Sequence, residues 1–179
     1  DSIMTCSPDY LVMGMSAITF YGGIEGANNF KEKIETASGV GVSIGSHSTT
    51  AALHAYGNIK RIAFVSPYFP IANREVRQYF EECGFAVAQD ICLECPSWTA
   101  IAEVPTNQLR KILDELNSKE VDALVQVGTN LCMAKLAGEV EAVMKKPVIA
   151  INTATYWHAL RSNGIEDKIP GFGKLLEEL

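Results

Sequence analysis

RIAFVSPYFPIANREVRQYFEECGFAVAQDIC, residues 61–92, reads as strand, turn, helix, turn and strand in one unbroken run. Arg61 to Ser66 is short, apolar and rich in residues that suit a strand covered on both faces. Ile71 to Cys83 reads as a helix that stops at Gly84, the residue type that closes helices in a left-handed turn. Phe85 to Cys92 then reads as a second strand. Two strands joined through a helix pair in parallel with a right-handed crossover, so this stretch sets the fold class as α/β.

The same rhythm extends in both directions. Upstream, Tyr10 to Met15 is a buried-strand candidate. A helix is predicted over Gly22 to Ala37, a short strand over Val40 to Ile44, and a helix over Ser48 to Tyr56 capped by Ser46 or Ser48. Downstream, Thr106 to Ser118 places Leu109, Ile112, Leu113 and Leu116 on one helical face. Ala123 to Val127 is a strand, Leu131 to Met144 a helix, Pro147 to Ile151 a strand, Ala154 to Asn163 a helix, and a last short helix starts at Lys174. No low-complexity segment, linker or solenoid period interrupts the pattern.

Composition narrows the class of function. The chain has 179 residues, 47% of them hydrophobic, which is enough for a packed core. The formal net charge is −6, with Lys and Arg scattered, so there is no nucleic-acid footprint. No run approaches the roughly 18 apolar residues of a membrane span, and the start DSIMTCSPDY lacks the pattern of a signal peptide. Five irregularly spaced cysteines do not form a disulfide framework, so a reducing cytoplasm is the expected compartment. No GxGxxG, Walker A or GxSxG motif is present, which removes the dinucleotide, P-loop and α/β-hydrolase readings.

In open parallel sheets, ligands sit beyond the carboxyl ends of the strands. The tips there are Gly14-Met15-Ser16, Ser46-His47-Ser48, Ser66-Pro67-Tyr68, Gly128-Thr129-Asn130 and Asn152-Thr153. Gly128-Thr129-Asn130 is read as ending a strand and opening a helix, with amides free for an anion; a strand-to-helix turn with its cap is the alternative. Ser16 could bond a carboxylate or cap a helix. Tyr68 could donate a hydrogen bond or a proton, or simply pack. Asn152 and Thr153 are read as helix caps. Cys92-x-x-Cys95 lacks the second ligand pair that structural zinc needs, and His47, His54 and His158 show no metal spacing with it. Cys132, read as lying in the first turn of a helix, is the one candidate reactive thiol; a buried, inert cysteine is the alternative. No metal and no organic cofactor are expected.

Taken in order, MGMS (13–16), RIAFVSPY (61–68), GTNL (128–131), KPVIAINTATYWHALR (146–161) and PGFGKLL (170–176) resemble the arylmalonate decarboxylase and maleate isomerase branch of the Asp/Glu racemase superfamily. The resemblance runs over nearly the whole chain. It implies two similar lobes, each a small parallel sheet flanked by helices, with the active site between them. The lobes implied are 1–58 plus 155–179, and 59–154. It implies chemistry at the carbon next to a carboxylate, without cofactor, by a decarboxylase or isomerase acting on a small mono- or dicarboxylic acid through an enediolate. The resemblance matches Ser16, Tyr68, Thr129 and Asn130 to carboxylate-binding positions; Gly14, Met15, Ser48 and Gly128 complete the candidate substrate-binding set, with Tyr68 and Cys132 as candidate catalytic groups. A homo-oligomer is compatible with it.

Two departures from the family pattern qualify that expectation. The two cysteine positions of the family fall on Gly14 and Gly128, so neither lobe supplies the usual thiol. The family also places a strand-helix unit ahead of the segment that starts here at Asp1, which makes the first lobe N-terminally incomplete by that comparison. A hydratase or hydrolase on the same scaffold, and a carboxylate binder without catalysis, therefore stand beside the lyase or isomerase reading.

Overall fold

A computed structural model describes residues 2–179. Six strands alternate with helices and form two parallel sheets. The first pairs β1 (Tyr10–Val12) with β2 (Gly41–Ser43), Leu11 opposite Val42. The second has the order β4-β3-β5-β6, built from β3 (Arg61–Ser66), β4 (Ala86–Cys92), β5 (Ala123–Gln126) and β6 (Val148–Ala150). This is the two-lobe α/β architecture expected from the sequence, with the first sheet the smaller.

Strand alternation explains how the second sheet is covered. Ile62, Phe64, Ala123, Val125 and Ile149 face one apolar cluster, while Ala63, Val65, Leu124, Val148 and Ala150 face another. The first cluster is closed by α1 (Gly23–Ser38), α2 (Gly45–Tyr56), α3 (Pro70–Glu82) and α7 (Ile151–Ser162), and it includes Phe20, Leu53, Tyr79, Phe80 and Trp157. The second is closed by α5 (Thr106–Leu116) and α6 (Ala134–Met144), through Leu109, Leu113, Leu116, Leu136 and Val140. Each buried leucine of that size contributes roughly 1.5–3 kcal/mol relative to exposure, so α5 is held by its apolar stripe rather than by helix propensity. A five-residue helix, α4 (Trp98–Ala102), and α8 (Lys174–Glu177) complete the chain.

Three helix starts differ from the sequence reading. Helix α2 begins at Gly45, so Ser46 and Ser48 lie inside its first turn and neither side chain caps it. The loss is small because Ser48 N–H already bonds the Ile44 carbonyl at 3.0 Å. Helix α6 begins at Ala134 rather than near 131. Gly128 adopts φ +103°, and Leu131 N–H bonds the Gly128 carbonyl, so residues 128–131 form a separate turn before the helix. Gly128-Thr129-Asn130 therefore does not open a helix, and Cys132 is not in a helical first turn. Likewise α7 begins at Ile151, one residue ahead of Asn152, whose side chain is then free for another task.

Among the described residues, no helix is long and apolar enough to cross a membrane.

Candidate functional site at the strand ends

Strand β3 has β4 on one side and β5 on the other, so the chain leaves it in opposite directions. Such a reversal opens a crevice beyond the carboxyl ends of the two central strands. The turns that follow β3 and β5 are Pro67-Tyr68 and Gly128-Thr129-Asn130, and they meet there. The loop after β1 arrives from the first lobe. Together Met15, Ser16, Ala17, Pro67, Tyr68, Trp98, Ile101, Gly128, Thr129 and Asn130 line one narrow cleft.

Two groups from two loops, the Tyr68 hydroxyl and the Thr129 backbone N–H, converge on the hydroxyl oxygen of Ser16 from a third. The Ser16 hydroxyl shares a hydrogen bond of 2.9 Å with the Tyr68 hydroxyl. The Thr129 backbone N–H donates to the same Ser16 oxygen at 3.1 Å. Ser16 is buried, and it precedes a short 3-10 turn (Ala17–Thr19) without capping it by its side chain, so its hydroxyl serves this junction instead. Burial pushes the Tyr68 phenol up to about 12, with the Ser16 hydrogen bond working in the opposite direction. The phenol therefore stays protonated, a neutral donor.

The turns are held by Asn152, which the sequence presents as a helix cap, and by Gln126, which it does not single out. Asn152 Nδ2 donates to the Thr129 carbonyl at 2.9 Å, and the buried Gln126 amide donates to the Val127 and Gly128 carbonyls at 2.7 Å each. These bonds fix the peptides of the turn so that the Thr129 N–H faces Ser16. On the other side, the amides of Leu93, Glu94 and Cys95 donate to the carbonyls of Ser66, Tyr68 and Pro67 at 2.9, 3.1 and 3.0 Å. The Cys92-x-x-Cys95 segment thus supports the Tyr68 turn through its backbone. Burial raises both thiols, which makes them poorer nucleophiles.

Other candidates fall elsewhere. Met15 forms part of the wall and is half exposed; Gly14 is on the exposed approach, where an added Cβ would meet nothing within 4 Å. Asn130 is at the rim, its amide 3.4 Å from the Trp98 carbonyl. Trp98 and Ile101 of α4, missed in the sequence, form the far wall. Ser48 is fully buried in α2, its hydroxyl without a partner among the described residues, and it does not line the cleft. Cys132 is exposed, with its sulfur 3.8 Å from the Ala102 carbonyl and 3.9 Å from that of Asn130, outside the cleft lining. Among the described residues, no group of three or more His, Cys, Asp or Glu is arranged to hold a metal ion.

A larger groove of about 710 Å³ lies at the opposite, amino ends of β3 and β6, lined in part by Tyr56, Ile59, Glu141, Lys146, Pro147 and Lys174. Size alone would favour it. Its most buried acid, Glu141, is spent on the Lys174 amide at 2.9 Å, and burial raises that carboxyl above the ordinary range. The strand-end cleft is far smaller, about 10 Å³, and is distinguished by chemistry rather than room, since polar groups from three loops converge there.

Two lobes of parallel sheet with a polar cleft between their loops are the architecture expected of the Asp/Glu racemase superfamily. Residues 9–176 match the family described as arylmalonate decarboxylase, and the chain belongs to that family. It is 32% identical over 126 residues to a maleate isomerase of Pseudomonas putida, covering 70% of this chain and 50% of that protein. It is 30% identical over 120 residues to a maleate isomerase of Nocardia farcinica, covering 66% and 48%. The chain thus spans about half the length of the curated relatives it matches. The fold superposes on the Nocardia farcinica maleate cis-trans isomerase, a cysteine-to-serine mutant with a covalently bound succinylcysteine intermediate, with a TM-score of 0.92 at 24% identity, covering 99% of this chain and 75% of that one. On arylmalonate decarboxylase the TM-score is 0.89 at 21% identity, covering 99% and 79%.

Proposed function

We propose that this chain is a cofactor-independent decarboxylase or isomerase acting at the carbon next to the carboxylate of a small mono- or dicarboxylic acid. The carrying observation is the convergence of the Ser16 hydroxyl, the Tyr68 hydroxyl and the Thr129 N–H on one point of the cleft. A substrate carboxylate entering there takes over the donors that Ser16 now engages. Those donors then hold the two oxygens of an enediolate as charge moves onto them, each such donor being worth about 3 kcal/mol in a preorganised site. In decarboxylation, the bond to the departing carboxylate breaks and its electron pair enters the enediolate. The Tyr68 hydroxyl then gives its proton to the carbon and regains one from water. A high phenol pKa keeps that proton loaded, and an enediolate is basic enough to take it. Tyr68 fills the donor's role because Gly14 and Gly128 carry no thiol.

The lobes of this reading divide as 1–58 plus 155–179 and 59–154, supported by the packing of α7 on α2, β1 and β2.

The loss of both thiols favours one second reading, a carboxylate-binding protein that keeps the donors without turnover. Incubation with maleate, aspartate, glutamate and phenylmalonate in heavy water separates the two by NMR. The enzyme reading expects deuterium at the α-carbon or a new product, a fall of about 10²–10⁴ in Tyr68→Phe, and little change in Cys132→Ala. A melting-point rise without turnover supports the binder, and loss of turnover in Cys132→Ala with Tyr68→Phe unaffected rejects the assignment of Tyr68.

A further inference from the structure

Behind Tyr68 runs a line of polar side chains with no part in the cleft itself. Tyr68 N–H donates to the Ser66 hydroxyl at 3.1 Å. That hydroxyl donates to the Asn73 amide oxygen, and the Asn73 amide nitrogen donates to the Asp90 carboxylate. Arg77 closes the line: its Nε reaches Asp90 at 3.1 Å, its Nη2 pairs with the same oxygen, and its Nη1 bonds the Val87 carbonyl at 2.8 Å. Ser66 and Asn73 are buried, so the link between them is made away from water, while Asp90 and Arg77 end the line at a partly exposed edge.

The arrangement is more than a convenient way to satisfy buried groups. Asn73 and Arg77 are one turn apart on α3, and Asp90 belongs to β4, so the line ties a helix and a neighbouring strand to the last residue of β3. Every polar atom has its donor or acceptor role fixed. Arg77 can only donate and Asp90 only accept, which sets the Asn73 amide with its nitrogen toward Asp90 and its oxygen toward Ser66. Ser66 is then forced to donate to Asn73, which leaves its lone pairs for the Tyr68 amide. The charged end of the line thus dictates the hydrogen-bond polarity at the turn that presents the Tyr68 hydroxyl to Ser16.

We propose that Asn73, Asp90 and Arg77 are positioning residues for Tyr68, acting through Ser66 to hold its turn in the one orientation that meets the first-lobe loop. None of them touches the cleft. This inference deepens the proposed function and rests on it for any effect on catalysis, but the positioning itself can be read independently. Protein labelled with ¹³C at the tyrosine ζ carbon gives one signal per tyrosine, and Tyr68→Phe identifies that of Tyr68.

Asn73→Ala, Asp90→Ala and Asp90→Asn are compared with the wild type. Asp90→Ala serves as the second variant should the buried Asn73→Ala fail to fold, since Asp90 lies at a partly exposed edge. Asp90→Asn keeps an acceptor for Asn73 and removes the charge. The expected result is a Tyr68 signal that is broadened or displaced, with its ionisation midpoint moved toward that of an ordinary tyrosine, in both alanine variants, and largely restored in Asp90→Asn. Turnover of any acid accepted by the wild type should fall at least tenfold in kcat in the alanine variants, with KM changed less. A Tyr68 signal and midpoint unchanged in folded Asp90→Ala overturns the positioning role. An altered Tyr68 signal with no turnover of any acid by the wild type leaves the positioning role standing and rejects the catalytic reading instead.

Discussion

Gly128 lies against Pro67: a Cβ on Gly128 would come within 2.5 Å of the Pro67 ring carbons, and the residue sits at φ +103°. Two family positions that resemble each other on paper are therefore physically unlike. Position 14 is open and position 128 is closed by both backbone and neighbour. Placing cysteine at each separates them. Gly128→Cys combines a left-handed backbone with a ring clash and should lose about 2–4 kcal/mol of stability. Gly14→Cys should change it by less than about 1 kcal/mol and leave a thiol that alkylates readily. Urea unfolding and labelling with iodoacetamide report both; equal stability of the two variants would contradict the packing described.

Ser16 and Ser48 test whether a buried serine hydroxyl matters because of what it meets. Ser16→Ala removes the acceptor of the Thr129 N–H and the partner of Tyr68. It should tighten carboxylate binding several-fold, because a guest no longer has to displace the hydroxyl from those donors. Ser48→Ala removes a hydroxyl with no partner among the described residues from within a helix. Binding should be unchanged and stability equal to, or up to about 1 kcal/mol above, that of the wild type. Calorimetric titration with maleate and thermal unfolding check the pair.

Asn152 reaches the site only through the Thr129 carbonyl. Asn152→Ala should cost about 1 kcal/mol in stability and weaken binding of the same acid several-fold, because the Thr129 peptide loses one of its restraints. Asn152→Asp, which presents a second acceptor to that carbonyl, should be worse than alanine. A calorimetric ranking with aspartate at least equal to wild type would remove Asn152 from the support of the turn.

Acid stability should be governed in part by two histidines of the first lobe. His158 Nδ1 lies 2.7 Å from the Ser43 hydroxyl, which is 3.1 Å from the Tyr10 hydroxyl. Burial holds His47 and His158 below the ordinary imidazole value, helped by the positive charge of Lys31. A depressed folded-state value means that the unfolded chain binds the proton first. The stabilisation is complete above about pH 6.5 and is lost as pH falls from there through the lower folded-state values. Asp122, lowered by the Arg61 and Lys60 amides, adds a further loss below about pH 4. Glu141, raised by burial, acts in the opposite sense, its contribution falling as pH rises above about 4.5. Unfolding in urea between pH 7.5 and 5 should therefore show a steeper decline in the wild type than in a His47→Gln, His158→Gln double variant. Parallel curves would mean that these rings do not titrate differently on folding.

The alternation of strands and helices was legible because the strands of the larger sheet are covered on both faces. RIAFVS leaves little else for Arg61–Ser66 to be. Ser16, Tyr68 and Thr129 could be found because they stand at strand ends in a family-like order. Gln126 and Trp98 could not be found that way, and Pro67 and Asn152 could be placed at strand ends but not given their roles. Trp98, Pro67 and Asn152 meet groups distant in the chain and Gln126 bonds the carbonyls just after it, yet a glutamine in a strand or an asparagine at a helix start carries no trace of its partner. The start of α6 was misplaced for a related reason: Leu131 and Met133 are buried and apolar like the helix that follows, but they pack from a turn. Nothing in local patterning distinguishes the two, and Cys132 was carried into the wrong environment with them.

In the proposed function the Ser16 oxygen sits where an anion would be received, so every guest has to displace a resident that belongs to the protein. A neutral molecule of the right shape gains little from that exchange, whereas a carboxylate offers a full charge to the same donors. When the guest departs, the hydroxyl closes behind it and the donors are not left bare. Such a self-sealing receptor should discriminate by charge before shape, and let go of its cargo without waiting for water to fill the space.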